Sequence, residues 1–266
     1  MVVKPGKDGQ ERPVAVLCSG GLDSAVLVAH QSRDARVHPV YVRAGLAWEP
    51  REQTVLSRLL AAAPFAGRVE PLARLDAPVR DLYTPAHWAV RGTPPAFDTP
   101  DGDVYLVGRN VTLLAKVGLL CAQRRIGVIA LGPLTGNPFP DATPAFFDAM
   151  ARALSLGLDH EIRIVSPFGR FTKAAVIRLG VELGVPFELT LSCMGPADER
   201  HCGRCSKCRE RLQAFDAAGV VDPAEYAQHG YPEETGDRRQ EGTEGSGRRH
   251  VVAELRRFPD PRLAST

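Results

Sequence analysis

The sequence predicts an α/β protein: an open parallel sheet with helices on both faces, followed by a small helical segment organised by cysteines. Three observations carry this expectation. Short apolar runs alternate with amphipathic helical patterns between residues 13 and 190, the order that right-handed crossovers fold into a parallel sheet. The first apolar run breaks into paired glycines, Ser19-Gly20-Gly21-Leu22-Asp23-Ser24, directly before a helix. Cys193, Cys202, Cys205 and Cys208 are separated by eight, two and two residues. The expected organisation is an N-terminal tail over 1–12, an α/β domain over 13–190, a cysteine segment with a C-terminal helix over 191–232, and a flexible tail over 233–266.

The first strand is the apolar run 14–18, and apolar positions on a helical period follow over 22–30. The loop between them therefore sits at a helix N-terminus. Unpaired N–H groups and the helix dipole favour an anion there, and Gly20 and Gly21 let the backbone approach it closely. Leu17, Cys18, Ser19, Gly20, Gly21, Leu22, Asp23 and Ser24 are the candidate phosphate-binding stretch. The alternative is a structural turn with Asp23 and Ser24 as helix caps.

A second strand is expected over 37–42, with Pro39 arguing for its start or for a sheet edge. Val55, Leu56, Leu59, Leu60 and Ala63 form one stripe of a helix over 51–63, which Pro64 ends. A third strand is expected over 68–72. Residues 76–103 hold five prolines with Tyr83, Trp88 and Phe97, an ordered excursion that either closes over a site or packs on the surface.

Gly108-Arg109-Asn110 opens a helix carrying Leu113, Leu114, Val117, Leu120 and Cys121. Asn110 suits a cap, and the Arg109 guanidinium suits an anion. The strand over 127–131 runs into a loop holding Asn137 and Asp141, at the strand end where open parallel sheets place ligands; both residues also suit an ordinary turn. Thr143 caps a helix beginning at Pro144, and 161–165 is a further strand. Thr172 caps the next helix. Lys173 lies in its first turn, unfavourable for a cation unless an anion is near, so it is either a phosphate contact or a solvated surface lysine. Residues 238–249 read as a linker without apolar periodicity, and 251–258 as a short semi-apolar piece.

Composition narrows the function classes. The chain has 266 residues, 44% of them hydrophobic, and a formal net charge of +2, which gives no electrostatic case for long nucleic acid and favours a small-molecule substrate. No apolar run approaches the roughly 18 residues of a membrane span, and the first residues lack a signal core. A soluble, cytoplasmic protein is expected, with its six cysteines reduced. Cys18 and Cys121 lie in apolar contexts and read as core residues. Cys193, Cys202, Cys205 and Cys208 can converge on one zinc ion, a structural site because four thiolates leave no open coordination position. An iron–sulfur cluster is the rival occupant.

Ser-Gly-Gly-Leu-Asp-Ser at 19–24 resembles the signature of the PP-loop (HUP-like) ATP pyrophosphatases, which split ATP between its α- and β-phosphates. That resemblance implies backbone and Ser19/Ser24 hydroxyl contacts to phosphate, with Asp23 orienting the loop or approaching magnesium. Together with Gly108-Arg109-Asn110, Pro140-Asp141 followed by Pro144-Ala145-Phe146, Lys173 and the four cysteines, the loop is similar to the 7-cyano-7-deazaguanine synthase family, also called QueC or ExsB, over about residues 13–218. The resemblance implies ATP-dependent conversion of 7-carboxy-7-deazaguanine and free ammonia to the nitrile through adenylated intermediates, with Mg2+, a structural Zn2+ and a homodimer. It makes Asp23, Ser24, Arg109 and Lys173 the candidate catalytic residues; Arg43, which follows the second strand on the ligand side of the sheet and otherwise reads as a surface cation, joins Asn110, Asn137 and Asp141 as candidate substrate contacts.

The chain departs from that family's usual pattern in two places. Tyr41-Val42-Arg43-Ala44-Gly45-Leu46 stands where Tyr-Gly-Gln-Arg-His is usual, and Ala142-Thr143 where Cys-Arg is usual. The departures leave open a relative that adenylates another carboxylate, attaches a deazaguanine to another acceptor or modifies a tRNA base. A regulator that binds nucleotide without turnover is the remaining class.

Overall fold

The computed structural model describes residues 12–195 and 200–227. The tails over 1–12 and 233–266, the linker over 238–249 and the piece over 251–258 lie outside them, apart from residue 12.

Five parallel strands form the sheet: β1 (Pro13–Leu17), β2 (Arg36–Arg43), β3 (Ala73–Asp76), β4 (Val128–Ala130) and β5 (Arg163–Val165), in the order β3-β2-β1-β4-β5. β1 is central because it is apolar on both faces, and side-chain alternation divides its residues between two cores. Val14 and Val16 pack with Leu22 and Val26 of α1 (Leu22–Gln31), Leu56 and Leu59 of α2 (Glu49–Ala61), and Val176 and Ile177 of α6 (Lys173–Glu182). Ala15 faces the other side, with Leu114 and Val117 of α4 (Arg109–Arg124) and Phe147 of α5 (Pro144–Leu158). Each such fully enclosed aliphatic or aromatic side chain stabilises the fold by about 1.5–3 kcal/mol. The chain leaves β1 in one direction through β2 and returns to its other side at β4, so the carboxyl end of β1 is a topological switch point.

Two strand expectations need correction. Pro39 marks neither a strand start nor an edge, because β2 is an interior strand and Pro39 is mid-strand. The Val40 carbonyl accepts the Cys18 N–H from the β1 side and the Val37 carbonyl accepts the Glu70 N–H from the β3 side, so Pro39 turns its missing donor toward β3. There the continuous ladder begins only at Val40, and no bond is lost. The third strand forms at Ala73–Asp76 rather than 68–72, where Val69 makes an isolated bridge to Val37. As an edge strand it exposes Arg74 and Asp76, and no apolar run announces it.

Helix caps follow the local sequence. The Thr143 and Thr172 hydroxyls accept the Phe146 and Ala175 N–H groups, both at 3.2 Å. The excursion over 76–103 contains the short helix α3 (Trp88–Arg91) and packs Ala89, together with Val104 just beyond it, against Ala44, Leu46 and Trp48; Trp48 stacks on Trp88 at 5.5 Å. The last described helix, α7 (Ser206–Ala218), begins two residues before Cys208 and places Phe215 edge-on to Phe187 in the main core. Among the described residues no helix is long and apolar enough to cross a membrane.

Candidate functional site

The loop between β1 and α1 is braced from within. The Ser24 hydroxyl donates to the Gly21 carbonyl at 2.9 Å, and it accepts the Ser19 N–H at 3.3 Å. Gly20 holds φ +80°, and a Cβ there would lie 3.3 Å from the main chain of α2 at Glu52 and Leu56, so glycine is required both by conformation and by space. Gly21 precedes α1 without a side-chain cap, which leaves the helix's first donors facing the adjoining cavity. Ser24 therefore shapes the anion loop as well as lining it.

Behind the loop lies a chain of charges from three helices. Lys173 Nζ sits 3.2 Å from Asp23 Oδ2 and also meets Glu210 Oε1, while Lys207 Nζ binds the other Glu210 oxygen at 2.7 Å. This resolves the odd placement of a cation in the first turn of α6: two carboxylates surround it. Burial alone would lower the Lys173 pKa, but Asp23 and Glu210 outweigh it and hold the ammonium charged. Burial likewise works against the Glu210 carboxylate, yet Lys173 and Lys207 hold it down at about 2. Burial pushes the Asp23 carboxyl upward against the pull of Lys173, and Asp23 Oδ1 is buried with no hydrogen-bond partner.

The loop opens on a cavity of about 330 Å³. Leu17, Cys18, Ser19, Gly21, Asp23 and Ser24 line one side, and Arg109, Asn110, Asn137 and Asp141 the other. Asp141 is only 5% exposed, and its Oδ2 accepts the Asn110 N–H at 2.9 Å while its carbonyl accepts the Asn110 side-chain amide at 2.9 Å. It thus caps α4 from a distant loop and fixes Arg109 beside the cavity. Among the described residues no partner reaches the buried Arg109 Nε. Asn137 Oδ1 accepts the Phe139 N–H at 3.0 Å, so this residue shapes its turn at the rim. Arg43 does not join the others: it pairs with Asp76 across β2 and β3 at 2.5 Å and is absent from the cavity wall.

The four cysteines are buried, and their sulfurs lie within 4.8 Å of one another. The separations of 3.9, 3.9 and 3.5 Å for Cys193–Cys205, Cys202–Cys208 and Cys205–Cys208 are near the ~3.8 Å edge of a tetrahedron with bonds of about 2.3 Å to zinc. Backbone N–H groups of Gly195 and Cys202 point at Cys193 Sγ, each at 3.4 Å, which suits thiolate charge. The donor set thus fits a metal ion with all four positions filled by protein. Since α7 carries Cys208 and Glu210, the cysteine cluster also fixes the far end of the Lys173 charge chain.

Sequence reasoning missed Glu52, Tyr41, Glu210 and Lys207. Glu52 lines the cavity at 8% exposure, and its Oε2 accepts the Tyr41 hydroxyl at 2.8 Å. Its signal was present: Glu52, Leu56 and Leu59 fall at i, i+4 and i+7, an acidic residue on the buried stripe of α2. For Glu210 the spacing to Lys207 signals only a local helix pair, and its link to Lys173 spans 37 residues.

A family model described as queuosine biosynthesis protein QueC matches residues 13–219. A 7-cyano-7-deazaguanine synthase of Methanopyrus kandleri is 34% identical over 226 residues, 79% of this chain and 97% of that protein. The protein of the same name from Anaeromyxobacter dehalogenans is 34% identical over 230 residues, 82% of this chain and 97% of its own length. That from Methanothermobacter thermautotrophicus is 32% identical over 225 residues, 81% and 99% of the two chains.

Proposed function

The chain belongs to the family of the queuosine biosynthesis protein QueC, and from that premise we propose that it is an ATP-dependent carbon–nitrogen ligase converting 7-carboxy-7-deazaguanine and ammonia to 7-cyano-7-deazaguanine. One observation supports the chemistry above the others. The β1–α1 loop and Arg109 line a single cavity, which suits a polyphosphate and a carboxylate that must meet there.

A carboxylate oxygen is a poor leaving group, so the substrate is first adenylated, with release of pyrophosphate. Ammonia displaces AMP to give the amide. A second adenylation, on the amide oxygen, turns that oxygen into a leaving group, and loss of AMP and a proton leaves the nitrile. In this account Gly20, Gly21 and the first turn of α1 hold phosphate through backbone donors, Lys173 offsets its charge, and Arg109 orients the carboxylate. Asp23 Oδ1, a hard donor without a partner, fits a magnesium ion, which when bound neutralises charge on the phosphate oxygens. Cys193, Cys202, Cys205 and Cys208 would hold zinc in a structural role.

Of the departures from the family pattern, Val42 lines the cavity, whereas Arg43, Ala44, Gly45 and Ala142 do not. Arg43 is paired with Asp76, Ala44 and Gly45 donate to the Glu49 carboxylate at 2.7 and 2.9 Å, and Ala142 packs into the second core. The homodimer implied by the resemblance belongs to the same proposal and is checked by solution mass. The test of the reaction is whether AMP and pyrophosphate form from ATP only when 7-carboxy-7-deazaguanine and ammonium are both supplied in turnover conditions; release that ignores the deazapurine would remove this substrate.

A further inference from the structure

We propose that Glu52 receives the nitrogen substrate: its carboxylate binds ammonium and accepts the proton whose loss makes nucleophilic ammonia. The inference rests on the synthase reading above and extends it to a residue with no role there.

Near neutral pH dissolved ammonia is almost entirely ammonium, which has no lone pair for attack. A site that uses it needs an anion to draw the cation in and an acceptor for one proton. Three carboxylates line the cavity, Asp23, Glu52 and Asp141. Asp23 is bound to Lys173, and Asp141 caps the N-terminus of α4 through the Asn110 N–H, where the helix dipole already offsets its charge. Glu52 pairs with no cation among the described residues, although it is 8% exposed. The Arg109 guanidinium acts on Glu52 only from beyond ion-pair distance, and a buried carboxylate without a direct partner is costly to keep, so a small cation in the cavity would supply the close contact.

The geometry narrows the ligand. The Tyr41 hydroxyl takes Oε2 at 2.8 Å, and among the described residues no donor reaches Oε1. An oxygen without a donor suits a single N–H of a compact cation. Position agrees: the main chain of Glu52 abuts Gly20 closely enough that a Cβ there would be 3.3 Å from its carbonyl oxygen, and Glu52 lines the same cavity as Ser19 and Gly21. Burial pushes the Glu52 carboxyl up to about 7, against Arg109 and the Tyr41 hydroxyl, a range in which it can take a proton and return it to water.

The step balances. The Glu52 carboxylate takes one proton from NH4+. The lone pair of NH3 forms the C–N bond at the acyl carbon, and the bond from that carbon to the adenylate oxygen breaks. AMP leaves with the electron pair, and the new amide nitrogen sheds its extra proton to water, as Glu52 then does.

The test separates adenylation from amination in Glu52→Gln, which keeps an acceptor for Tyr41. Without ammonia, exchange of labelled pyrophosphate into ATP dependent on 7-carboxy-7-deazaguanine should stay within about twofold of the wild type, which also shows a folded site. The efficiency with ammonium should fall at least about a hundredfold, within the range for loss of an acid–base group, and Glu52→Asp should recover part of it. A parallel loss of exchange, or unchanged efficiency with ammonium, overturns the role of Glu52 alone. Wild-type protein that shows no such exchange removes the synthase reading, and this inference with it.

Discussion

Lys173 Nζ lies 3.2 Å from Asp23 Oδ2, joining the first turn of α6 to the first turn of α1 directly behind the β1–α1 loop. The pair explains both residues: a lysine unfavourably placed for its own helix dipole is held by Asp23 and Glu210, and it lends the loop a positive charge that phosphate oxygens can share. Lys173→Met should lower AMP formation by about 10²-fold or more, the scale seen when a charge-stabilising donor is removed. Lys173→Arg should recover only part of it, because a planar guanidinium cannot take the place of a compact ammonium between two carboxylates. Unchanged AMP formation in Lys173→Met would leave the charge chain a purely structural device.

Asp141 and Arg43 should now behave differently. Asp141→Ala removes the acceptor for the Asn110 N–H, costs about 1 kcal/mol as a lost helix cap, and frees Arg109 to move. Substrate-dependent AMP formation should drop at least about tenfold while ATP binding, followed by calorimetry, changes little. Arg43→Ala breaks a half-exposed pair with Asp76 and should alter turnover less than about twofold. The reverse ranking would place Arg43 at the substrate.

The cysteine cluster should carry one zinc per chain by elemental analysis. Cys205→Ser should lose it, and forfeiting even about 3 kcal/mol of metal-linked folding energy would lower Tm by roughly 6–12 °C in a chain of this size. Because α7 also carries Glu210, pyrophosphate exchange should fall with it. Visible absorbance with iron and no zinc would instead identify an iron–sulfur cluster.

Glu52 also sets a pH dependence. The groups facing it are Tyr41 of β2, Arg109 of α4, Cys18 beside β1 and Glu49 of its own helix. Its folded pKa of about 7 lies above the ordinary 4.5, so folding favours the protonated form. Its contribution to stability is full below pH 4.5 and is lost as pH rises through 7. Glu52→Gln removes that loss and should be the more stable protein at pH 8, by an amount on the order of 3 kcal/mol, with the difference shrinking toward pH 5. Thermal melts of both proteins across that range check it; parallel curves would mean that Glu52 is ionised freely in the folded chain.

Much of this architecture is legible in the sequence wherever one local signal decides the outcome. The 14–18 run, the paired glycines and α1 follow from hydrophobicity and backbone freedom, and Thr143 and Thr172 cap the helices their positions suggest. The four cysteines converge because their short spacing leaves few alternatives. What escapes is non-local. β3 is an exposed edge whose register depends on β2, and Pro39 is tolerated mid-strand only because the neighbouring ladder starts one residue later. Asp141 meets Asn110 across 31 residues, and Lys173 meets Glu210 across 37, pairings that no local spacing encodes. Arg43 lies near the right strand end, but it turns to Asp76 rather than to the cavity.

The central claim is tested most directly by incubating the full chain with 7-carboxy-7-deazaguanine, ATP, magnesium and 15N-labelled ammonium, and resolving the products by mass. The account predicts a nitrile carrying one 15N atom, formed through an amide that carries the same label, with two AMP released for each nitrile. Unchanged 7-carboxy-7-deazaguanine, in a protein that retains its metal and binds ATP, would contradict it.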